Sequence, residues 1–193
     1  FGPAFYMRNF GITEGEVATI LGLITALAGT LGVVLGGYIG DRLREKHING
    51  RLYVGFGLIM LAVPTALGML FTESLVMSYI YYSLFQIATP MWVGIAPTTV
   101  SDLVLPRMRG VAGAYYILMV SMLGLALGPY SIGYISDYFF SLGYSDAESL
   151  KYALAWGQSA LLITIFALIG ACYYLPKEEP TKLNRAREMG ETI

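Results

Sequence analysis

Leu161-Leu162-Ile163-Thr164-Ile165-Phe166-Ala167-Leu168-Ile169 is the stretch on which the fold turns. It lies in a charge-free run from Tyr152 to Pro176, and it is apolar continuously rather than at alternate positions. A membrane-barrel strand would alternate, because one face meets lipid and the other a wet lumen. A segment apolar on every side must satisfy its backbone within itself, which in lipid means a helix. Working outward, four more charge-free runs precede it: Val17–Gly40, Leu52–Thr72, Ser74–Ser101 and Gly110–Ser136. The shortest of the five has 21 residues. Roughly 20 suffice to cross a hydrocarbon layer of about 30 Å. Expected is an all-α, polytopic membrane helix bundle with spans at about 17–40, 52–72, 74–101, 110–136 and 152–176.

Composition supports this reading. The chain has 193 residues, 56% hydrophobic and 13% charged, with mean hydropathy +0.62. Soluble domains carry roughly 25% charged residues. A net charge of −1 offers no basic footprint for nucleic acid, so no nucleic-acid partner is expected. One cysteine, Cys172, excludes an internal disulfide, and no Cys/His set has metal-ligand spacing. Catalytic sets for nucleophilic chemistry are missing too, so no enzyme activity and no cofactor are expected.

Ten of the twelve basic residues fall on one side if the five runs span in succession. These are Arg42, Arg44, Lys46, Arg51, Arg107, Arg109, Lys177, Lys182, Arg185 and Arg187. Arg8 and Lys151 fall on the other, beside Glu73, Asp137, Asp146 and Glu148. The positive-inside rule puts the first side, with the C-terminus, in the cytoplasm. Residues 177–193 then read as a polar cytoplasmic tail. The lone His47 is expected as a solvated loop side chain. Phe1–Met7 is apolar but too short to span, so residues 1–10 read as the end of a truncated sixth helix.

Gly37-Tyr38-Ile39-Gly40-Asp41 and Gly133-Tyr134-Ile135-Ser136-Asp137 match at four of five positions, 96 residues apart. The first copy ends inside and the second outside, the mark of an inverted-topology 3+3 repeat, frequent in secondary transporters. Asp41 sits at the C-terminal end of its helix, where the macrodipole disfavours negative charge. It therefore needs a compensating Arg or helix N-terminus, and such a contact could hold a gate in one state and break in the other. Pro106 ends the third run, and Arg107 and Arg109 hold the following turn at the basic face, near Asp102.

Gly128-Pro129 in the fourth run frees a backbone carbonyl and permits a bend, which makes these two residues a candidate hinge. Gly29, Gly32, Gly36 and Gly40 form a small-residue stripe suited to close helix packing. On the third run Tyr79, Tyr82, Gln86 and Thr89 recur at helical spacing, and on the fourth Tyr115, Met119 and Met122 do so. Both sets are candidates to line a substrate cavity, with packing or interfacial anchoring as the alternative. No Asp, Glu, Lys, Arg or His lies within any run, so a proton relay is not expected in this part of the chain.

Gly37, Asp41, Arg42 and Lys46 resemble the Gly-x-x-x-Asp-Arg-x-x-x-(Arg/Lys)-(Arg/Lys) loop of the major facilitator superfamily, although Arg44 stands where a second Gly is expected. Pro106 to Gly110 is similar to that family's Pro-x-x-x-Arg-Gly connection. The resemblance implies the C-terminal six-helix half of a twelve-helix transporter over residues 1–175, with five complete transmembrane helices and the end of a sixth. A cytoplasmic gate at Gly37, Asp41, Arg42, Lys46, Asp102, Arg107 and Arg109 follows from it. Ser101–Gly110 and Gly128–Asp137 are similar to the spinster-like group. That implies alternating-access export of a lysophospholipid or sphingolipid-like amphipathic substrate, with the proton as coupling ion. It also implies the missing N-terminal half and membrane lipids as partners, and short loops suit a bacterial inner membrane. A multidrug or small-organic-solute carrier of the same superfamily is the alternative, and a non-transporting membrane scaffold a third reading.

Overall fold

The computed structural model describes residues 1–188, with side chains as far as Lys177, and every regular element in that range is helical. In order these are α1 (Gly2–Phe10), α2 (Glu14–Lys46), α3 (Gly50–Phe71), α4 (Leu75–Ala88), α5 (Met91–Leu103), α6 (Arg109–Met119), α7 (Leu127–Ser141), α8 (Asp146–Gly157) and α9 (Ser159–Glu188). A 3₁₀ turn, Pro106–Met108, precedes α6, and a π-helical segment, Val120–Ala126, joins α6 to α7. Lys182, Arg185 and Arg187 lie beyond the described side chains, and residues 189–193 beyond the described backbone.

Capping chemistry sets where the helices begin. Thr13 and Glu16 form a reciprocal capping box that opens α2, and Ser145 and Glu148 form another that opens α8. Both satisfy N–H groups that a helix start leaves orphaned. Consequently α2 and α8 start before the charge-free runs do. At 33 residues α2 is about 50 Å long, more than a bilayer core requires, so it must tilt or protrude.

Four helical stretches are long and apolar enough to cross a membrane: Glu14–Lys46, Gly50–Phe71, Pro106–Ser141 and Asp146–Lys177. The run 74–101 is not one unbroken helix. It forms α4 and α5, separated at Thr89–Pro90, because Pro90 has no N–H to continue the ladder. The backbone stays right-handed helical through both residues, so α5 continues α4 as a bent rod. In the last run a tight turn at Gln158, with i→i+3 bonds to Ala155 and from Leu161, separates α8 from α9. Helix α9 also continues past the expected span end at 176 to Glu188.

The glycine stripe of α2 is a packing seam. A Cβ placed on Gly32 would stand 2.3 Å from the Ile87 carbonyl oxygen, and one on Gly36 would stand 2.4 Å from that of Met91. On Gly40 it would lie 3.2 Å from Ile95 Cγ1. Partner numbers rise together along the seam, so α2 runs parallel to the α4–α5 rod. Gly94 reciprocates, its missing Cβ leaving room for the backbone of Val33 and Gly37.

Short as it is, α1 is anchored: Phe5 and Tyr6 are fully buried with Val17, Leu21, Met69, Leu70 and Leu150. Near that end Phe139, Tyr144 and Tyr152 cluster, and Lys151 Nζ sits 4.7 Å above the Phe71 ring. Near the other end Lys177 Nζ lies 3.4 Å from the Tyr173 ring. Such aromatic groups suit the two membrane–water interfaces.

Gly36→Ala should part α2 from α5 and lower the melting temperature of the complete protein in detergent by several degrees, as overpacking of about 1–3 kcal/mol does. Gly57→Ala, where a Cβ meets nothing within 4 Å, should leave it nearly unchanged. Equal effects would remove the seam from the stability of the bundle.

Candidate functional site

Three charged residues meet where α2 and α5 end and α3 begins. Arg51, in the first turn of α3, places Nη2 2.8 Å and Nε 3.2 Å from Asp41 Oδ1. Its Nη1 donates to Asp102 Oδ2. The Arg51 side chain is 16% exposed, against 66% for Asp41 and 42% for Asp102. Gly40 lies beside it, and a Cβ there would make ordinary contact with the Arg51 stem at 3.6 Å.

Each member sits against the field of its own helix. Asp41 and Asp102 lie near C-terminal ends, where a negative charge is disfavoured, and Arg51 lies at an N-terminal end, where a positive charge is. Apart, all three are unfavourable, whereas together each charge offsets the others and the three helix ends are tied. The compensating partner that Asp41 requires is thus Arg51. Sequence reasoning offers a nearby Arg or a helix N-terminus in the other half, and counts Arg51 among the loop charges without singling it out. The usable signal was the same dipole argument applied to the start of α3.

Not every gate residue expected from sequence joins this cluster. Arg42 turns back on its own helix, donating from Nη1 to Tyr38 OH at 2.7 Å and lying 5.4 Å over that ring. Lys46 is the exposed last residue of α2. The backbone of Gly37 borders Gly94, but a Cβ on Gly37 itself would meet nothing within 4 Å. Arg107 lies in the 3₁₀ turn and Arg109 opens α6, both on the surface.

A second, uncharged cluster lies farther along the seam. Thr25 of α2 shares a hydrogen bond with Tyr82 OH at 2.9 Å and accepts one from Gln86 Nε2 at 2.8 Å. Thr19 and Thr30, also on α2, bond only to carbonyls of their own helix. Since threonines in lipid commonly do that, Thr25 gave no signal in the sequence. Beside the trio, Tyr6 stacks on Tyr79 at 5.1 Å and meets Tyr82 edge-on at 6.2 Å. A cavity of about 270 Å³ opens there, lined by Tyr82 and Gln158 among apolar groups of α1, α3 and α8.

The structure divides the expected cavity residues. Tyr82 and Gln86 come together. Tyr79 joins through Tyr6 and has a buried hydroxyl with no hydrogen-bond partner. Thr89 bonds back to the Phe85 carbonyl at 3.0 Å. Tyr115, Met119 and Met122 are on α6 and the π segment, which pack on α5 and α7 and not against the trio. Met122 lies inside the π segment, whose i→i+5 ladder takes more residues per turn. The spacing that aligns it with Tyr115 and Met119 in a regular helix does not hold there. Gly128 and Pro129 follow that segment directly in the first turn of α7. Ser131 Oγ lies 2.8 Å from the Leu127 carbonyl and 2.9 Å from that of Gly128.

Residues 1–192 match the family described as Major Facilitator Superfamily. An MFS-type efflux pump of Mycolicibacterium smegmatis (strain ATCC 700084 / mc(2)155) is 30% identical over 177 residues, 91% of this chain and 39% of that protein. Protein spinster homolog 1 of Homo sapiens is 38% identical over 159 residues, 71% of this chain and 29% of that protein. Among solved structures, a bacterial homolog to the human lysosomal transporter Spinster, inward-facing and unoccupied, superposes with a TM-score of 0.66 at 22% identity. It covers 94% of this chain and 43% of that one. The chain therefore spans less than half the length of these relatives.

Arg51→Ala should cost the complete protein about 1–2 kcal/mol of stability, since it removes the cation that Asp41 and Asp102 share. Arg42→Ala should cost less than about 0.5 kcal/mol, the usual range for a surface site. Denaturation in detergent distinguishes them, and equal costs would dissolve the distinction between the two arginines.

Proposed function

Because this chain belongs to the major facilitator superfamily, a family of membrane transporters rather than enzymes, we propose that it forms the C-terminal six-helix half of a secondary transporter working by alternating access. Its partner in that work is an N-terminal half that completes the pathway. On this reading the basic loops and the C-terminus face the cytoplasm. The bilayer is the bacterial inner membrane, to which the short loops are suited.

One observation carries the substrate reading. Thr25, Tyr82 and Gln86 form a hydrogen-bonded group without charge, in otherwise apolar helices, beside the Tyr6–Tyr79 aromatic wall. Polar groups at such depth usually look into a bundle or a wet cavity. A polar head resting on the exposed trio, with an apolar chain on the apolar helix surface around it, describes an amphipath of the lysophospholipid or sphingolipid kind. The spinster homologs among the relatives point the same way. The likeness to a mycobacterial efflux pump supports the second reading, export of drugs or small organic solutes.

In the cycle, the Asp41–Arg51–Asp102 cluster holds the cytoplasmic ends of α2, α3 and α5 as one body and reorganises as the inner gate moves. Gly128 and Pro129, beside the π segment, provide the bend on which α6 moves relative to α7. The charge-free runs of this half hold no titratable carboxylate, Lys, Arg or His. If transport is proton-coupled, the titrating group comes from the other half.

The complete protein in proteoliposomes, given labelled lysophospholipid with and without an imposed pH gradient, tests the reading. Gradient-dependent movement above empty liposomes is expected. No movement by a folded preparation that does carry polar solutes would replace the lipid reading with the small-solute one. Gln86→Ala should raise the apparent KM about fivefold, the worth of one hydrogen bond, at unchanged melting temperature. Asp41→Asn should lower turnover without preventing membrane insertion.

A further inference from the structure

The inverted repeat predicts a second charge cluster at the opposite end of the bundle. Asp41 closes the second span of the first repeat, Arg51 opens the third, and Asp102 closes the first span of the second repeat. Inverting the repeat, with Asp137 standing for Asp41, gives three equivalent places: the end of α7, the start of α8 and the end of α1. Each carries a charge, namely Asp137, Asp146 and Arg8. Arg8 Nε lies 3.0 Å from Asp146 Oδ2. All three, with Ser136, line one cavity of about 390 Å³ between α1, α7 and α8.

The two clusters differ in the sign of their helix-dipole terms. Arg8 lies in the last turn of α1 and Asp146 in the first turn of α8. Those are positions where the macrodipole favours their charges. When the pair separates, each group keeps its local stabilisation, unlike the members of the Arg51 cluster. The Arg8–Asp146 pair is also exposed, 40% and 64% by side chain. It is therefore the weaker fastening, and the neighbouring cavity gives the end of α1 space to move.

We propose that Arg8, Asp137 and Asp146 form the outer latch of the transport cycle, which holds α1 against α7 and α8 and releases it when the outer side opens. Asp137 is the second acceptor for Arg8 as the pair parts. This rests on the transporter reading above. It assigns Arg8, Asp137 and Asp146 positioning roles, with the Arg51 cluster as the tighter inner counterpart.

The test uses the complete protein in right-side-out proteoliposomes, with every native cysteine, Cys172 included, replaced by serine as background and Gly22→Cys as reporter. Gly22 is one turn outward from Thr25, and a Cβ there meets nothing within 4 Å. The readout is the labelling rate by a membrane-impermeant maleimide, beside substrate uptake. Arg8→Glu should raise the labelling rate about three- to fivefold, the scale of an exposed ion pair. Combining Arg8→Asp with Asp146→Arg restores an opposite-charge pair, now against both helix dipoles and beside Asp137, and should lower the rate part of the way to the starting value. Asp146→Asn, which only neutralises an exposed carboxylate, carries the same expectation should Arg8→Glu fail to fold. Unchanged labelling in a protein that transports overturns the latch and leaves the transporter reading intact. Faster labelling that the charge swap does not lower at all also overturns it, since the pairing would then not be the cause. Absence of both transport and any labelling response overturns both readings.

Discussion

The close approach of α2 to the α4–α5 rod is the contact on which the rest of the structure depends. Lipid offers helices no hydrophobic gain from meeting each other, so association in a bilayer rests on tight packing and polar contacts. Here Gly32 and Gly36 bring the α2 backbone against that of Ile87 and Met91, and Gly40 packs on the Ile95 side chain. The seam then fixes register. Two turns before Gly32 it sets Thr25 against Tyr82 and Gln86, and one residue after Gly40 it brings Asp41 to the group shared with Asp102. Both clusters are results of one packing choice.

Much of this was readable in the residues. The charge-free runs located the helices, because in hydrocarbon the backbone has no other way to satisfy itself. The position of Asp41 announced a missing partner, and the glycine stripe announced a close neighbour. What escaped was contact between distant segments. Arg42 lies next to Asp41 in sequence and points away from it, whereas Arg51 is nine residues further on and meets it. Thr25 looks like any helix-bound threonine until α4 is laid beside it. Met122 was placed on a face that a regular helix would have had, and the π segment before Gly128-Pro129 changed the turn. Local periodicity is a property of single helices, and the departures arose where a helix is irregular or where another supplies the partner.

Irregularity is concentrated where two helices must serve different neighbours. The rod bends at Pro90, α6 and α7 join through the π segment, and α8 gives way to α9 at Gln158. At the last of these Gly157 faces Ile132 of α7, so close that a Cβ would sit 2.6 Å from its Cδ1. The unbroken helices α2 and α3 carry much of the buried core, and the bend at Pro90 falls inside the seam itself, between the contacts at Ile87 and Met91.

The parallel seam also constrains how the chain is made. Residues that meet across it are 55 apart, as Gly36 and Met91 are. At synthesis rates of about 5–20 residues per second, α2 waits roughly 3–11 seconds for its partner. During that interval its glycine face must be held by lipid or by the insertion machinery, and α3, which follows immediately, is its first available companion. Translation speed between residues 50 and 90 therefore sets how long an unfinished, adhesive helix stands in the membrane.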